Sequence, residues 1–379
     1  MTVTYDVIVV GARVAGAATA MLLARNGFQV LLVDRGRAGT DTLSTHALMR
    51  GSVYLLSQWG LLDRIVDAGT PPVRQTHFDY GSDRASVTIK PTPGVRALYA
   101  PRRTVLDPVL VDAAAAAGAH VRFGVSVEGL LRDGTGRVVG VRGRDRAGAA
   151  VTARARITVG ADGIRSTVAR QAGAATLRAG EEASTIIYGY WSELPVDGYE
   201  WFYRPGHSAG IIPTNAGQAC VFAGTRAAPE VYGDIHAAYH QLLATATDGA
   251  GGRLAQARPP RRLRTWVGRP SFVRQAHGPG WALVGDAGSF LDPLSTHGIT
   301  DALRDADTLS RLLSRSGLAA DLSEFARTRD RAIDPLFPIV DRIAGHQWDA
   351  AELRRCLLDL SAAMSAELDL IATSNGLRA

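Results

Sequence analysis

The stretch VIVVGARVAGAATAMLLARNGFQVLLVD, residues 7–34, decides how the rest of the chain is read. Val7–Val10 is continuously apolar, so Tyr5–Val10 predicts a short strand of the kind buried on both faces of a parallel sheet. The alanine-rich run Gly16–Asn26 predicts a helix that Gly27 ends from a left-handed cap. Phe28–Val33 predicts a second strand, closed by Asp34. Strand, glycine turn, helix, strand and acid follow one another as in a dinucleotide-binding β-α-β unit. Gly11 and Gly16 permit the tight turn, and the helix start offers unpaired N–H groups and a positive dipole end to a pyrophosphate. Asp34, with Arg35 beside it, stands about 20 residues further on, where a carboxylate accepts from ribose hydroxyls. Arg13 replaces the middle glycine of G-x-G-x-x-G. It puts a side chain where backbone should approach phosphate, although its guanidinium is itself a phosphate ligand. A purely structural β-α-β turn remains the alternative on this segment alone.

Further along, Leu48–Ile65 predicts a helix stopped at Pro71-Pro72, and Val73–Ala100 turns strand-like, with alternation over Ser86–Lys90. Thr104–Ala117 predicts a helix and His120–Phe123 a third parallel strand. Val125–Leu131, Arg137–Arg144 and Val151–Val159 alternate between turn signals and predict a three-stranded meander. Short aromatic-rich strands between Ser184 and Thr225 predict a second sheet, followed by a helix over Pro229–Ala246 and a flexible stretch at Gly249–Gly252. Trp281–Val284 predicts a buried strand, about Gly298 to Leu313 a helix, and Leu322–Leu377 a helical end. The whole is an α/β chain with an α+β part inserted.

Composition narrows the function classes. With 379 residues there is room for two or three domains. The net formal charge is +6, carried almost wholly by arginine, since Lys90 is the sole lysine. The arginines are spread over every segment rather than interleaved with aromatics in one block, which argues against nucleic acid as a partner. Cys220 and Cys356 lack partners in metal or disulfide spacing, so no metal site is expected and a reducing cytoplasm fits. The N-terminus lacks a basic n-region, and no stretch reaches the roughly 18 apolar residues of a membrane span.

Three further motifs carry the chemistry. Gly160-Ala-Asp-Gly-Ile-Arg-Ser-Thr-Val-Ala-Arg170 ends a strand, with Asp162 at its centre. Gly285-Asp-Ala-Gly-Ser-Phe-Leu-Asp-Pro-Leu-Ser-Thr-His-Gly-Ile-Thr-Asp-Ala302 runs from Asp286 through Pro293 into the helix beginning at Gly298 and Ile299. Arg102-Arg103-Thr-Val-Leu106 opens a helix, and Arg103 fits better because Leu106 and Leu110 follow it three and seven residues later. Together with the N-terminal unit, these resemble the FAD-dependent monooxygenases of the para-hydroxybenzoate hydroxylase superfamily, whose scaffold geranylgeranyl reductases and flavin-dependent halogenases share. Ala169 stands where that superfamily usually has arginine, with Arg170 one place later.

The resemblance implies a Rossmann-like FAD-binding domain made of residues 1–72, 101–183 and 271–330. It implies an inserted mixed-sheet substrate domain of 73–100 and 184–270, and a C-terminal helical segment, 331–379. Asp286 then binds the ribityl and phosphate region, the Pro293-to-Gly298 loop runs beside the flavin ring, and the helix dipole at Gly298 and Ile299 meets charge on the reduced flavin. Leu43-Ser-Thr-His46 and Leu294-Ser-Thr-His297 both approach the ring in this fold, making His46 and His297 the candidate catalytic acid/base groups. The alternative is that either histidine caps its helix or fills the pocket.

Tyr188, Tyr190, Trp201, Tyr203 and Ile212 of the second sheet are the candidate substrate contacts. They suit an aromatic or otherwise apolar small molecule in a dry pocket. The expected reaction is hydroxylation or epoxidation of that substrate through a flavin hydroperoxide formed with O2. NAD(P)H, or a separate flavin reductase, supplies the electrons. The alternatives are flavin-dependent reduction or dehydrogenation of an isoprenoid-like substrate, and a flavin-binding protein without redox work. Halogenation fits poorly, because Ile211-Ile212-Pro213 lacks the tryptophans of the halogenase signature and Lys90 lacks its local pattern. The sequence leaves the oligomeric state open.

Overall fold

The computed structural model describes residues 4–227, 233–248 and 251–374. The N-terminal unit forms as its pattern requires. Strand Thr4–Val10 pairs in parallel with Val30–Asp34, and helix Val14–Arg25 crosses between them. That helix is buried almost throughout, which is why it is built of alanine. Bulkier side chains would not fit between the sheet and its neighbouring helices Arg103–Ala116 and Gly298–Ser316.

The first sheet runs in the order His277–Gly278, Trp281–Leu283, Ala150–Gly160, Thr4–Val10, Val30–Asp34, His120–Phe123. From Trp281–Leu283 to His120–Phe123 its strands are parallel. Strand Ala150–Gly160 belongs to two environments, and its sequence shows both. Its first half alternates and pairs antiparallel with Val138–Arg144, which pairs in turn with Ser126–Arg132. Its last four residues, Ile157–Gly160, are all buried, because they lie between two parallel neighbours.

The second sheet has seven strands in the order Arg264–Val267, Ser184–Ser192, Gln218–Arg226, His207–Pro213, Tyr199–Arg204, Gln75–Asp79, Arg84–Thr88. It is mixed, since Tyr199–Arg204 and Gln75–Asp79 pair in parallel and the other pairs are antiparallel. Side chains alternate between its faces. Ile186, Tyr188, Trp201, Ile212, Cys220 and Phe222 join the main core. Ile187, Trp191, Phe202, Ile211 and Val221 pack under helix Ile235–Ala246. A small third sheet, Ser289–Phe290, Phe272–Arg274 and Thr176–Ala179, lies beside them.

Four expectations need correction. The helix expected over Leu48–Ile65 is two, Arg50–Gln58 and Leu62–Asp67, because Gly60 takes a left-handed φ of 71° between them. The helix expected over Pro229–Ala246 begins at Ile235, capped by the Asp234 carboxylate, and Pro229–Tyr232 lie outside the described residues. Of the flexible stretch at Gly249–Gly252, Gly249 and Ala250 lie outside the described residues, while Gly251 and Gly252 open a short helix to Gln256. The helical end consists of Ser323–Ile333, Leu336–Ala344 and Ala350–Ser374, and its expected last residues, 375–377, lie outside the description. Among the described residues no helix is long and apolar enough to cross a membrane.

Candidate flavin site

At the N-terminal turn the chain's own packing demands glycine. A Cβ on Gly11, whose φ is 106°, would come within 2.3 Å of the Ala161 carbonyl oxygen, and one on Gly16 within 1.8 Å of the Gly11 oxygen. Asp34 braces the same turn by accepting from the N–H groups of Ala12 at 2.8 Å and Gly36 at 2.6 Å. Arg35 is exposed. Arg13 donates to Asp107 at 2.7 Å and to the Thr40 carbonyl oxygen at 2.6 Å. Arg103 holds the other side of Asp107 with two hydrogen bonds of 2.8 and 3.1 Å. One carboxylate, which no sequence motif announced, thus orients both arginines at the mouth of the site.

A cavity of about 230 Å3 runs from this mouth inward. Arg13, Val14 and Ala15, Arg103 and Asp286, and His46, Trp266, Pro293, His297, Gly298 and Ile299 line it. Two helices, Val14–Arg25 and Gly298–Ser316, begin on it, and neither has a side-chain cap. Unpaired N–H groups at both starts face the cavity, an arrangement made for anionic ligand groups. Three buried ring nitrogens, His46 Nδ1, His297 Nδ1 and Trp266 Nε1, lack a hydrogen-bond partner, and all three residues line this one cavity. Buried polar atoms are seldom left unpaired, so these fit a polar, ring-bearing ligand. FAD fits these features: its pyrophosphate would meet the first helix start and its flavin ring the orphan nitrogens. Arg13, Arg103 and Asp286 would hold its chain, and His46, His297, Gly298 and Ile299 its ring.

Asp286 is buried enough, with Asp301 nearby, that its carboxyl is pushed up to about 7. Asp162 plays a local part: it accepts from Ser166 Oγ and from the N–H groups of Thr167 and Val168, capping helix Thr167–Ala172. Its neighbour Gly163 lines the cavity. Asp292 is fully buried, accepts from Ser184 N, Ser184 Oγ and Leu294 N, and fixes the turn at Pro293 to the second sheet.

The two histidines meet at the same cavity with different partners. His46, at a left-handed φ of 50°, places Nε2 3.2 Å from Tyr190 Oη. Burial, with Arg102 and Arg103 nearby, pushes its imidazole down to about 3, so it is neutral at physiological pH. Arg102 lies 3.5 Å above the Tyr190 ring and shares the Asp41 carboxylate with Arg264, at 3.0 and 2.9 Å. His297 Nε2 lies 2.5 Å from Glu367 Oε2. Burial opposes its charge, yet Glu367 and Asp301 outweigh that and raise its pKa. His297, Asp301 and Glu367 have the spacing of a metal site, but the Arg304 guanidinium bonds both carboxylates and takes the cation's place.

Of the aromatic candidates on the second sheet, none lines the cavity. Tyr188 and Tyr190 stand one layer behind it: Tyr188 Oη accepts from Ser44 N, and Tyr190 stacks on His46. Trp201 donates to Thr76 Oγ1 and packs on Tyr199 and Phe222. Tyr203 packs against Tyr80 and Trp348, towards the C-terminal helices. Ile212 is fully buried in the core. Sequence reasoning missed Trp266, Asp41, Arg264, Asp107 and Glu367. Only the inward-facing Asp301 and Asp305 left a signal, as charges on the apolar stripe of helix Gly298–Ser316.

Comparison with known proteins places the fold and the family. The chain is 26% identical over 343 residues to digeranylgeranylglycerophospholipid reductase of Methanocella arvoryzae, covering 86% of this chain and 81% of that one. It is 32% identical over 235 residues to the FixC protein of Salmonella typhi, of which it spans about half. Among solved structures, the flavin-dependent brominase Bmp2 superposes with a TM-score of 0.76 at 18% identity, over 95% of this chain and 94% of that one, a likeness of fold. The sequence profile of the FAD binding domain family matches residues 4–321. The chain belongs to that family of para-hydroxybenzoate hydroxylase-like flavin oxidoreductases.

Proposed function

We propose that this flavoprotein is a monooxygenase that places one atom of O2 in an aromatic or otherwise apolar small molecule, by hydroxylation or epoxidation, with NAD(P)H as reductant. The observation that carries this reading is the wall of the cavity, which Ala47, Trp266, Phe290, Leu291 and Pro293 line together with a neutral His46. Bound FAD supplies electron storage and the reaction of its reduced form with oxygen. The apolar wall keeps water and stray protons away from that chemistry. His46 Nε2 is held by Tyr190, itself kept protonated by burial. That leaves His46 Nδ1 as the atom the neutral imidazole offers to a hydrogen bond at the cavity. Both cysteines are free thiols, which suits a reducing cytoplasm.

One observation favours a second reading, reduction of an unsaturated apolar substrate: the similarity to the archaeal reductase runs over most of both chains. Turnover with NAD(P)H and heavy-isotope oxygen separates the two, with aromatic and isoprenoid compounds supplied as substrates. A product carrying one labelled oxygen atom, checked by mass spectrometry, is expected. A product heavier by two hydrogens, formed under strict anaerobiosis, overturns the monooxygenase reading.

A further inference from the structure

Glu367 belongs to the last helix, Ala350–Ser374, well outside the residues that the FAD binding domain profile matches. The fold nevertheless brings it against His297, which lines the cavity. One carboxylate oxygen meets His297 Nε2 and the other meets Arg304 Nη1, both at 2.5 Å. Arg304 also bonds Asp301 at 2.5 Å and Asp305 at 2.8 Å. None of these five side chains is more than 4% exposed. The helix end is clamped in place. Leu368, Ile371 and Ala372 pack on the main core, while Gly51 and Ser52 of helix Arg50–Gln58 bring no charge to the contact.

Charge decides the state of this cluster. Asp301, Asp305 and Glu367 bond one guanidinium, that of Arg304, and even with Arg329 acting on Asp305 the carboxylates outnumber the guanidinium groups, so the cluster is net negative unless it takes up a proton. Buried charge without compensation is strongly unfavourable. The proton's place is set by contact: His297 touches Glu367 directly, and its other ring nitrogen, Nδ1, is buried without a partner at the cavity. Burial works against the charge of Glu367, yet His297 and Arg304 beside it outweigh that and lower its pKa. Asp286, whose carboxyl is pushed up to about 7 by burial with Asp301 and Asp305 adding to it, is the neighbouring titratable group at the cavity.

We propose that Glu367 is a positioning residue of the flavin site: it fixes the His297 imidazole through Nε2 and holds it as an imidazolium. The Nδ1–H is thereby left free for the cofactor ring. A cationic donor at that place favours the electron-rich, reduced cofactor over the oxidised one. The C-terminal helix thus tunes the redox poise of a site that it does not line. The proposal rests on the FAD reading of the cavity and is independent of the reaction catalysed there.

The test uses the full chain. In protein labelled with 15N-histidine, the signal that His297→Gln removes is expected to be that of an imidazolium at about pH 8, where an ordinary histidine is neutral. In Glu367→Gln it is expected to be neutral at the same pH. With FAD bound, Glu367→Gln is expected to lose at least about tenfold in its preference for reduced over oxidised flavin. That is about 30 mV lower in midpoint potential for a two-electron couple. His297→Gln should give the same shift, and the double variant no more. A neutral His297 in the wild-type protein at about pH 7 overturns the proposal, whether or not Glu367→Gln folds. So does a wild-type potential in a Glu367→Gln protein that merely melts earlier. Protein that takes up no FAD overturns the cofactor reading instead, and the 15N signal of that apo-protein still decides what Glu367 does to His297.

Discussion

Leu43-Ser-Thr-His46 and Leu294-Ser-Thr-His297 are the same tetrapeptide placed at two sides of one cavity. They share one local contact, since in each copy the serine hydroxyl accepts from the N–H of the histidine two residues later, but the left-handed residue is His46 in one and Thr296 in the other. Their chemistry is opposite. His46 packs against Tyr190 with Arg102 and Arg103 nearby and stays neutral, whereas His297 packs against Glu367 and Asp301 and is drawn to the cation. An imidazole's charge is therefore written by what tertiary structure brings to it, and the sequence around it is nearly silent.

The opposition can be broken most forcefully at Arg304. Arg304→Leu leaves Asp301 and Glu367 buried with His297 beside them, and Asp305 with the Gly285 N–H, and a loss of about 3–5 kcal/mol is expected. Urea unfolding at neutral pH measures it, and a loss below about 1 kcal/mol would mean that water reaches the cluster.

Next in size is an effect of pH that runs in opposite directions for the two copies. His46 is held at about 3 in the folded chain and titrates near 6.5 when unfolded. The unfolded state therefore binds the proton first, and stability is lost as pH falls from about 6.5 towards 3. His46→Gln is expected to remove about 2–4 kcal/mol of that acid sensitivity, leaving the part due to His346, which burial holds at about 4. His297, with a raised pKa, contributes stability below about 6.5 that is lost as pH rises through its folded value. Denaturant midpoints across the pH range check both signs. Equal slopes in wild type and His46→Gln would place the acid sensitivity elsewhere.

The smallest expected effect sharpens the contrast at the neutral copy. Tyr190→Phe removes the partner of His46 Nε2 and should cost about 1–2 kcal/mol, because it strands a buried polar atom. If turnover also falls about tenfold while FAD stays bound, His46 acts through a fixed tautomer. Unchanged turnover would assign Tyr190 to packing alone.

The elements that were legible share a physical property: their signals are local. The run Val7–Val10, the glycines at 11 and 16 and the alanines of Val14–Arg25 each report a steric demand of backbone on backbone within a few residues. The break at Gly60 was overlooked because the apolar pattern continues across it, although a left-handed residue cannot continue a helix. Arg103 was singled out by its leucine spacing and Asp286 by its motif, and both line the cavity. Asp107, which orients Arg13 and Arg103 together, lies inside a helix where an acid usually marks a solvated face.

By itself, then, the sequence determined the three parallel strands at Val7–Val10, Val30–Asp34 and His120–Phe123 and the two helix starts that border the cavity. These follow from hydrophobic period and glycine geometry, which act over one or two turns of chain. Tertiary structure alone decided which aromatic side chains stand behind the cavity and which histidine carries charge. It also decided that a carboxylate 70 residues beyond His297 completes the site. Those outcomes depend on the electrostatic and packing environment where distant segments meet, a sum over neighbours that the order of residues along the chain does not display.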